Sequence, residues 1–147
     1  MDESKAIVSN LQSKVNNEHV YRWLKEKFND LNFENIPDKG ECIVFVQEKP
    51  GVIERTYFNS IFILSQAYSI YLFTDGLDTR KRFKSLEKLQ SISDFVEVSS
   101  ANKALPSLSA NDKAMRFDVS MPAYLCDRND QGYTYHLEIT MTYESRK

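Results

Sequence analysis

The chain has 147 residues, 27% of them charged and 12% aromatic, with four Gly and four Pro. That length supports one domain with a real core, and that composition excludes disorder and low complexity. A formal charge of −2 exerts no global pull toward nucleic acid or acidic membranes, and no apolar run reaches transmembrane length.

Met1-Asp-Glu-Ser-Lys5 lacks the basic-then-apolar order of a signal peptide. Ile7, Val8, Leu11 and Val15 mark one face of a helix over about residues 4–15, peripheral to a single domain spanning 1–147. Asn16-Asn17 breaks it, and Asn17 is a candidate N-cap for a second helix over about 18–31. Val20, Trp23, Leu24, Phe28 and Leu31 face inward there, and Arg22, Lys25, Glu26 and Lys27 face outward. Ile36 to Gly40 is a turn or loop.

The period then changes. Cys42 to Val46 reads as a short apolar strand, and Lys49-Pro50-Gly51 as turn chemistry. Val52 to Leu64 reads as one strand with apolar residues on both parities, so both of its faces are at least partly covered. Ala67 to Thr74 is a further strand, ended by Asp75-Gly76. Asp78 or Thr79 caps a third helix running to about Ser91, with Phe83, Leu86 and Leu89 in its buried stripe. Phe95 to Val98 reads as a short strand, and Ser99 to Ala114 as a long loop. Loops of that length inside a domain are usually functional or disordered.

The closing stretch carries the cleanest pattern. Met115, Phe117, Val119 and Met121 alternate with Arg116, Asp118 and Ser120. Tyr133, Tyr135, Leu137, Ile139, Met141 and Tyr143 alternate with Thr134, His136, Glu138, Thr140 and Thr142. Period two places each set on one face of a strand, one buried and one wet. Asp127 to Gly132 is the turn that joins the two runs into a β-hairpin. The fold class is α/β (α+β): a mostly antiparallel or mixed sheet with helices packed on one side.

No catalytic constellation can be assembled. The chain has two histidines, His19 and His136, both read as solvated, and no HExxH or GxSxG spacing. Cys42 and Cys126 stand apart without a metal spacing and read as reduced core or strand residues. Four scattered glycines make no phosphate loop. The expectation is a non-enzymatic protein with no catalytic residue, no cofactor and no metal.

One charge cluster stands out: Arg80, Lys81, Arg82 and Lys84 around Phe83. Positive charge at a helix N-terminus is locally unfavourable. The cluster reads as a solvated helix face, a phosphate contact, or a contact with an acidic neighbour. Tyr68, Tyr71, Tyr124, Tyr133 and Tyr135 are either interface or core tyrosines; Tyr133 and Tyr135 read as core. Loops on a rigid scaffold carry binding surfaces, which adds Asn102 and Lys103 from the long loop. Asp127, Arg128, Asn129 and Asp130 from the turn complete the candidate interaction residues.

The order helix, helix, β-hairpin, strand, helix, strand, long loop, β-hairpin, closing on Met121-Pro-Ala-Tyr-Leu-Cys-Asp-Arg-Asn-Asp-Gln-Gly-Tyr-Thr-Tyr-His-Leu-Glu-Ile-Thr-Met-Thr-Tyr143, resembles a phage family. That family is the tail terminator (tail completion, head–tail joining) proteins of long-tailed bacteriophages, with similar minor capsid proteins beside it. The likeness covers most of residues 15–143; the helix before residue 15 departs from it. The resemblance implies a virion protein, made in the host cytoplasm, that forms a homo-hexameric ring. Its implied partners are copies of itself, the tail tube protein and the head-completion or connector protein. DNA would pass through the lumen without specific binding, and no membrane is involved. The competing reading is a monomeric protein- or nucleic-acid-binding module that uses the sheet face or the basic residues 80–84.

Overall fold

The computed structural model describes residues 16–34, 41–74 and 79–146. The helix expected over 4–15, the turn at Ile36–Gly40, and Asp75, Gly76 and Asp78 lie outside the described residues. Among the described residues helix α1 holds 16–27, followed by β1 (Leu31–Phe33), β2 (Cys42–Val46), β3 (Val52–Thr56) and β4 (Ile61–Thr74). Helix α2 (Thr79–Ala101), β5 (Asp112–Asn129) and β6 (Gly132–Arg146) complete the described elements. The result is a mixed six-stranded sheet with helices against one face.

The sheet order is β1-β2-β4-β6-β5. Strand β4 lies along β6 over its whole length, from Ile61 opposite Arg146 to Thr74 opposite Tyr133. Its other edge is shared. Strand β2 pairs with Ser69–Phe73 and β3 with Phe62–Ser65. Thus β2 and β3 are two pieces of one interrupted edge. Where Lys49-Pro50-Gly51 leaves the ladder, the buried side chain of Gln66 reaches across: its Nε2 donates to the Lys49 carbonyl at 2.8 Å. An amide side chain there replaces a backbone partner that the proline-containing break removes.

Period two along β4 and β6 builds the core. Leu64, Tyr68, Ile70 and Leu72 lie opposite Tyr143, Ile139, Leu137 and Tyr135, on the face that the helices cover. Val20 and Leu24 of α1, with Leu89, Ile92 and Val96 of α2, fill the space above them. Trp23 stacks on Phe117 with ring centroids 5.0 Å apart and meets Phe95 at a tilt of 42°, 5.1 Å away.

Several sequence-based boundaries move. The expected strand Val52–Leu64 is two strands, because Tyr57–Ser60 turns the chain. The Tyr57 amide donates to the Ile61 carbonyl at 2.8 Å, and Ser60 takes φ 61°, the left-handed residue that closes a three-residue hairpin loop. The expected break between Leu64 and Ala67 does not occur, so β4 runs 14 residues. Phe95–Val98 is helix rather than strand: α2 continues to Ala101, since Ser85, Leu89, Ile92, Ser93, Val96 and Ser99 keep a helical buried stripe. The small serines on that stripe hid the period from an apolar reading. The long loop accordingly shrinks, and the described loop before β5 begins at residue 102.

Leu31 belongs to β1, parallel to β2, and not to the second helix. Asn16 and Asn17 lie within α1 and do not cap it; both are buried and bond outward to Asp112 and Gln47. A register shift between Ala114 and Arg116 leaves Met115 41% exposed, off the apolar face expected of it. A second shift turns Met121 to the other face, opposite Glu138. Phe83, expected in the core, is 62% exposed, while Trp23, Phe28 and Leu86 are half-buried and Leu89 is fully buried.

Candidate interaction surfaces

The strand register sorts the candidate residues by the end of the sheet they occupy. Thr74 ends β4 opposite Tyr133, next to the β5–β6 turn, and α2 starts shortly after it. The start of α2 and the turn residues Asp127, Arg128, Asn129 and Asp130 therefore gather at one end. Asn102 and Lys103 follow the C-terminus of α2, 23 residues away. At 1.5 Å per residue they sit about 34 Å along the helix, at the opposite end.

The basic cluster is divided in its roles. Arg82 is committed inward: its Nε donates to the Tyr135 hydroxyl at 3.0 Å, and its guanidinium lies 4.0 Å from the centre of the Tyr133 ring. This accounts for a cation in a first turn that holds no acidic residue, since the tyrosines supply what the helix dipole does not. Lys81 and Lys84 are exposed and form no ion pair among the described residues. Phe83 lies between them, open to solvent.

The turn is held locally. Asn129 Oδ1 accepts from the amides of Gln131 at 2.8 Å and Gly132 at 3.2 Å, and Gly132 has φ 151°, open to glycine at no steric cost. Asn129 is thereby a turn-former, while Asp127, Arg128 and Asp130 are exposed. At the far end Lys103 takes φ 59° and its amide donates to the Ser100 carbonyl at 3.2 Å, a left-handed helix stop. Its ammonium and the Asn102 side chain are exposed.

The face of the sheet away from the helices is not simply wet. His136 is 8% exposed, not solvated as its parity suggested. Its Nε2 sits 2.9 Å from Ser69 Oγ and its Nδ1 3.1 Å from the Tyr124 hydroxyl. Tyr71 stacks on its ring at 4.7 Å and 17°, and Tyr124 meets it edge-on at 5.5 Å. Burial pushes the imidazole below its ordinary pKa. The same burial, with a hydrogen bond to Glu48, pushes Tyr71 up to about 12.

Next to it, Glu138 accepts from Lys49 Nζ at 2.9 Å and Ser120 Oγ at 2.8 Å. Burial alone would raise its pKa, but those two donors outweigh it and hold the carboxyl below its ordinary value. The aromatic rings wall in the Ser69–His136 pair, so the arrangement packs the sheet face and buries its polar atoms in pairs. Among the described residues no group of three or more His, Cys, Asp or Glu side chains could hold a metal ion. Cys42 is buried and Cys126 exposed, and burial raises both thiols. No helix among the described residues is long and apolar enough to cross a membrane.

One surface was missed in the sequence. The β3–β4 hairpin ends in Tyr57, 48% exposed, and Phe58, 111% exposed. Read as mid-strand residues, they attracted no attention; the Asn59-Ser60 pair that follows is turn chemistry and could have marked them. At the same end of the sheet, the loop after α2 and the start of β5 form an open recess of about 790 Å³, whose lining joins Leu105, Pro106, Leu108 and Met115 to polar groups that include Lys103 and Lys113.

No family model and no curated protein matches the sequence. Among solved structures, a chain described as "Virion of native gene transfer agent (GTA) particle" superposes with a TM-score of 0.62 at 11% identity. The match covers 91% of this chain and 98% of that chain, so the two share a fold over most of their length. A second chain matches at TM-score 0.42 and 8% identity, over 100% of this chain and 98% of that one, too weak a likeness to argue from.

Proposed function

We propose that this chain is a non-enzymatic structural protein of a virion, and more finely a tail terminator or completion protein. In that reading it forms a ring, a homo-hexamer, at the head–tail interface. The observation that carries the reading is the likeness in fold to a gene transfer agent virion chain, over 91% of this chain and 98% of that one at TM-score 0.62. Two features of the molecule agree with it. Among the interaction residues picked from the sequence, the exposed charges fall toward two ends of the sheet: Lys81, Lys84, Asp127, Arg128 and Asp130 at one, Lys103 at the other. A protein that joins two different bodies needs two such separated ends. The polar atoms of the sheet's second face are spent on one another, through His136, Ser69, Tyr124, Glu138 and Lys49.

The test is genetic and microscopic. Particles made without this chain should accumulate as separate heads and tails, with tails of uncontrolled length, and restoring the chain should join them. Mass spectrometry of purified wild-type particles should find the chain. Joined, normal particles from the deletion would end the terminator reading. Absence of the chain from particles would end the virion reading.

A further inference from the structure

We infer that the Phe58 hairpin tip of one copy seats in the Leu105–Met115 recess of the next copy, head to tail. The number of copies rests on the assembly reading above. The contact itself is argued from three observations.

Phe58 is fully exposed at the end of β3–β4, in a three-residue loop fixed by Ser60 and by the Tyr57 amide bond to Ile61. A rigid aromatic on a pinned turn, with no core to join in its own chain, has the form of an interface anchor. The recess offers matching chemistry. Its apolar lining is Leu105, Pro106, Leu108, Ala110, Ala114 and Met115, set beside Ser107, Ser109 and charged groups, and the recess is open, with about 790 Å³ of space for an inserted ring. Its charged members are Lys103, Asp112, Lys113 and Glu144, of which Asp112 is bonded to Asn16 and Ser109, and the arm beside Phe58 carries Glu54 and Arg55, so each surface presents both signs to the other.

Placement is the third argument. The strands run in the order β3, β4, β6, β5, so tip and recess sit on opposite flanks of the sheet. At about 4.8 Å per strand those flanks are about 14 Å apart. They sit at the same end, since β4 begins at Ile61 opposite Arg146 and β5 begins at Asp112 opposite Ser145. A tip cannot fill the recess of its own chain across two intervening strands. A tip on one flank and a recess on the other make the contact heterologous, and such a contact forms a ring where the rotation between copies closes.

Simple strand addition is less suited to the job. Strand β5 is an edge, but four register shifts and Pro122 blunt its ladder, a usual guard against edge pairing. Side-chain insertion needs no such ladder. Two aromatics bury about 300–500 Å² together. A stable pair buries about 1,600 Å². A single contact is therefore weak, and copies hold firmly only when each uses both flanks.

The test uses the full chain and two variants at exposed positions, Phe58→Ser and Met115→Glu, each checked for a wild-type melting curve by circular dichroism. Sedimentation velocity over a concentration series should find weak wild-type self-association. Each variant alone should bind itself on the order of thirtyfold more weakly, as loss of an anchor residue implies. Mixed, the two should form heterodimers and nothing longer, because one keeps its recess and the other its tip. Wild-type self-association by Met115→Glu alone would mean that tips meet tips and would overturn the proposal. A wild-type chain that stays monomeric throughout would overturn it as well. Neither result depends on whether the chain is found in particles. A chain that complements in this way yet is absent from virions keeps the contact and loses the proposed function.

Discussion

Arg82 Nε and the Tyr135 hydroxyl, 53 positions apart in sequence, are 3.0 Å apart in space. That bond ties the first turn of α2 to β6, and the same guanidinium covers the Tyr133 ring. Arg82→Ala should therefore lower the melting temperature, whereas Lys81→Ala should not. Lysine at position 82 should restore only part of the loss, since an ammonium lacks the planar donor fork. Thermal melts of the three variants check this; equal melting of Arg82→Ala and wild type would mean the contact holds nothing.

A second prediction follows from His136. Burial holds its folded-state pKa below the ordinary 6.5. Between those two values the unfolded chain binds more protons than the folded one, so stability must rise with pH. The contribution is complete above 6.5 and fades as pH falls through the folded value. Glu138, also held low, adds a loss in the same direction only below its ordinary 4.5. Melting temperature should thus fall in two steps on acidification. His136→Gln should remove the first step. An unchanged first step in His136→Gln would place the titration elsewhere.

Leu89 is fully buried under α2 and Phe83 is 62% exposed on the same helix. Leu89→Ala should cost roughly 2–5 kcal/mol, the range for a large-to-small change in a packed core. Phe83→Ala should change stability by less than about 0.5 kcal/mol, as surface substitutions do. Half-buried Leu86 should fall between them. Urea unfolding of the three variants orders them directly.

Asn16 is fully buried in α1, and its Nδ2 donates to Asp112 Oδ2 at 2.8 Å, where β5 begins. Ser109 Oγ donates to the same carboxylate oxygen at 3.2 Å. Hydrogen bonds to charged groups are worth about 1.5–3 kcal/mol. Asn16→Ala should cost about that much by urea unfolding, and a larger share of the loss should vanish in the Asp112→Ala background. Additive losses in the double variant would show that the two residues are not coupled.

These sites also mark how far sequence reasoning reached. The alternation of β6 was legible because every second residue from Tyr133 to Tyr143 is apolar, and the fold class followed from it. Helix α2 was cut short because Ser85, Ser93 and Ser99 occupy its buried stripe, and small polar residues carry no apolar signal. Met115 was misplaced because a β-bulge shifts parity without a sequence mark. His136 read as wet because parity names a face and not what Tyr71 and Tyr124 later lay over it. Phe58 was hidden in a run that looked like one strand. The interaction residues were only partly legible for a related reason: sequence finds a charge but not its partner, and Arg82 already had one.

The last prediction concerns the charges that remain free. Lys81 and Lys84 are exposed, close to Asp127, Arg128 and Asp130 at the turn end of the sheet. Reversing both with Lys81→Glu and Lys84→Glu should leave the melting temperature unchanged, because neither side chain is packed. Incorporation into particles should fall, and it should fall most at low salt. Screening lengths shrink from about 10 Å at 0.1 M to about 3 Å at 1 M, so repulsion between exposed charges fades across that range. Lys103→Glu probes the opposite end in the same way. Removal of residues 102–110 is no substitute for it: Pro106 is buried and Ser109 bonds to Asn16 and Asp112, so that deletion attacks the fold. Electron microscopy of particles from the point variants decides which end meets which partner. Normal assembly by both the Lys81/Lys84 and the Lys103 variants, at low salt, would remove these three charges from the contact; Lys103 also lines the recess proposed for Phe58, so its variant tests the rim of that recess as well.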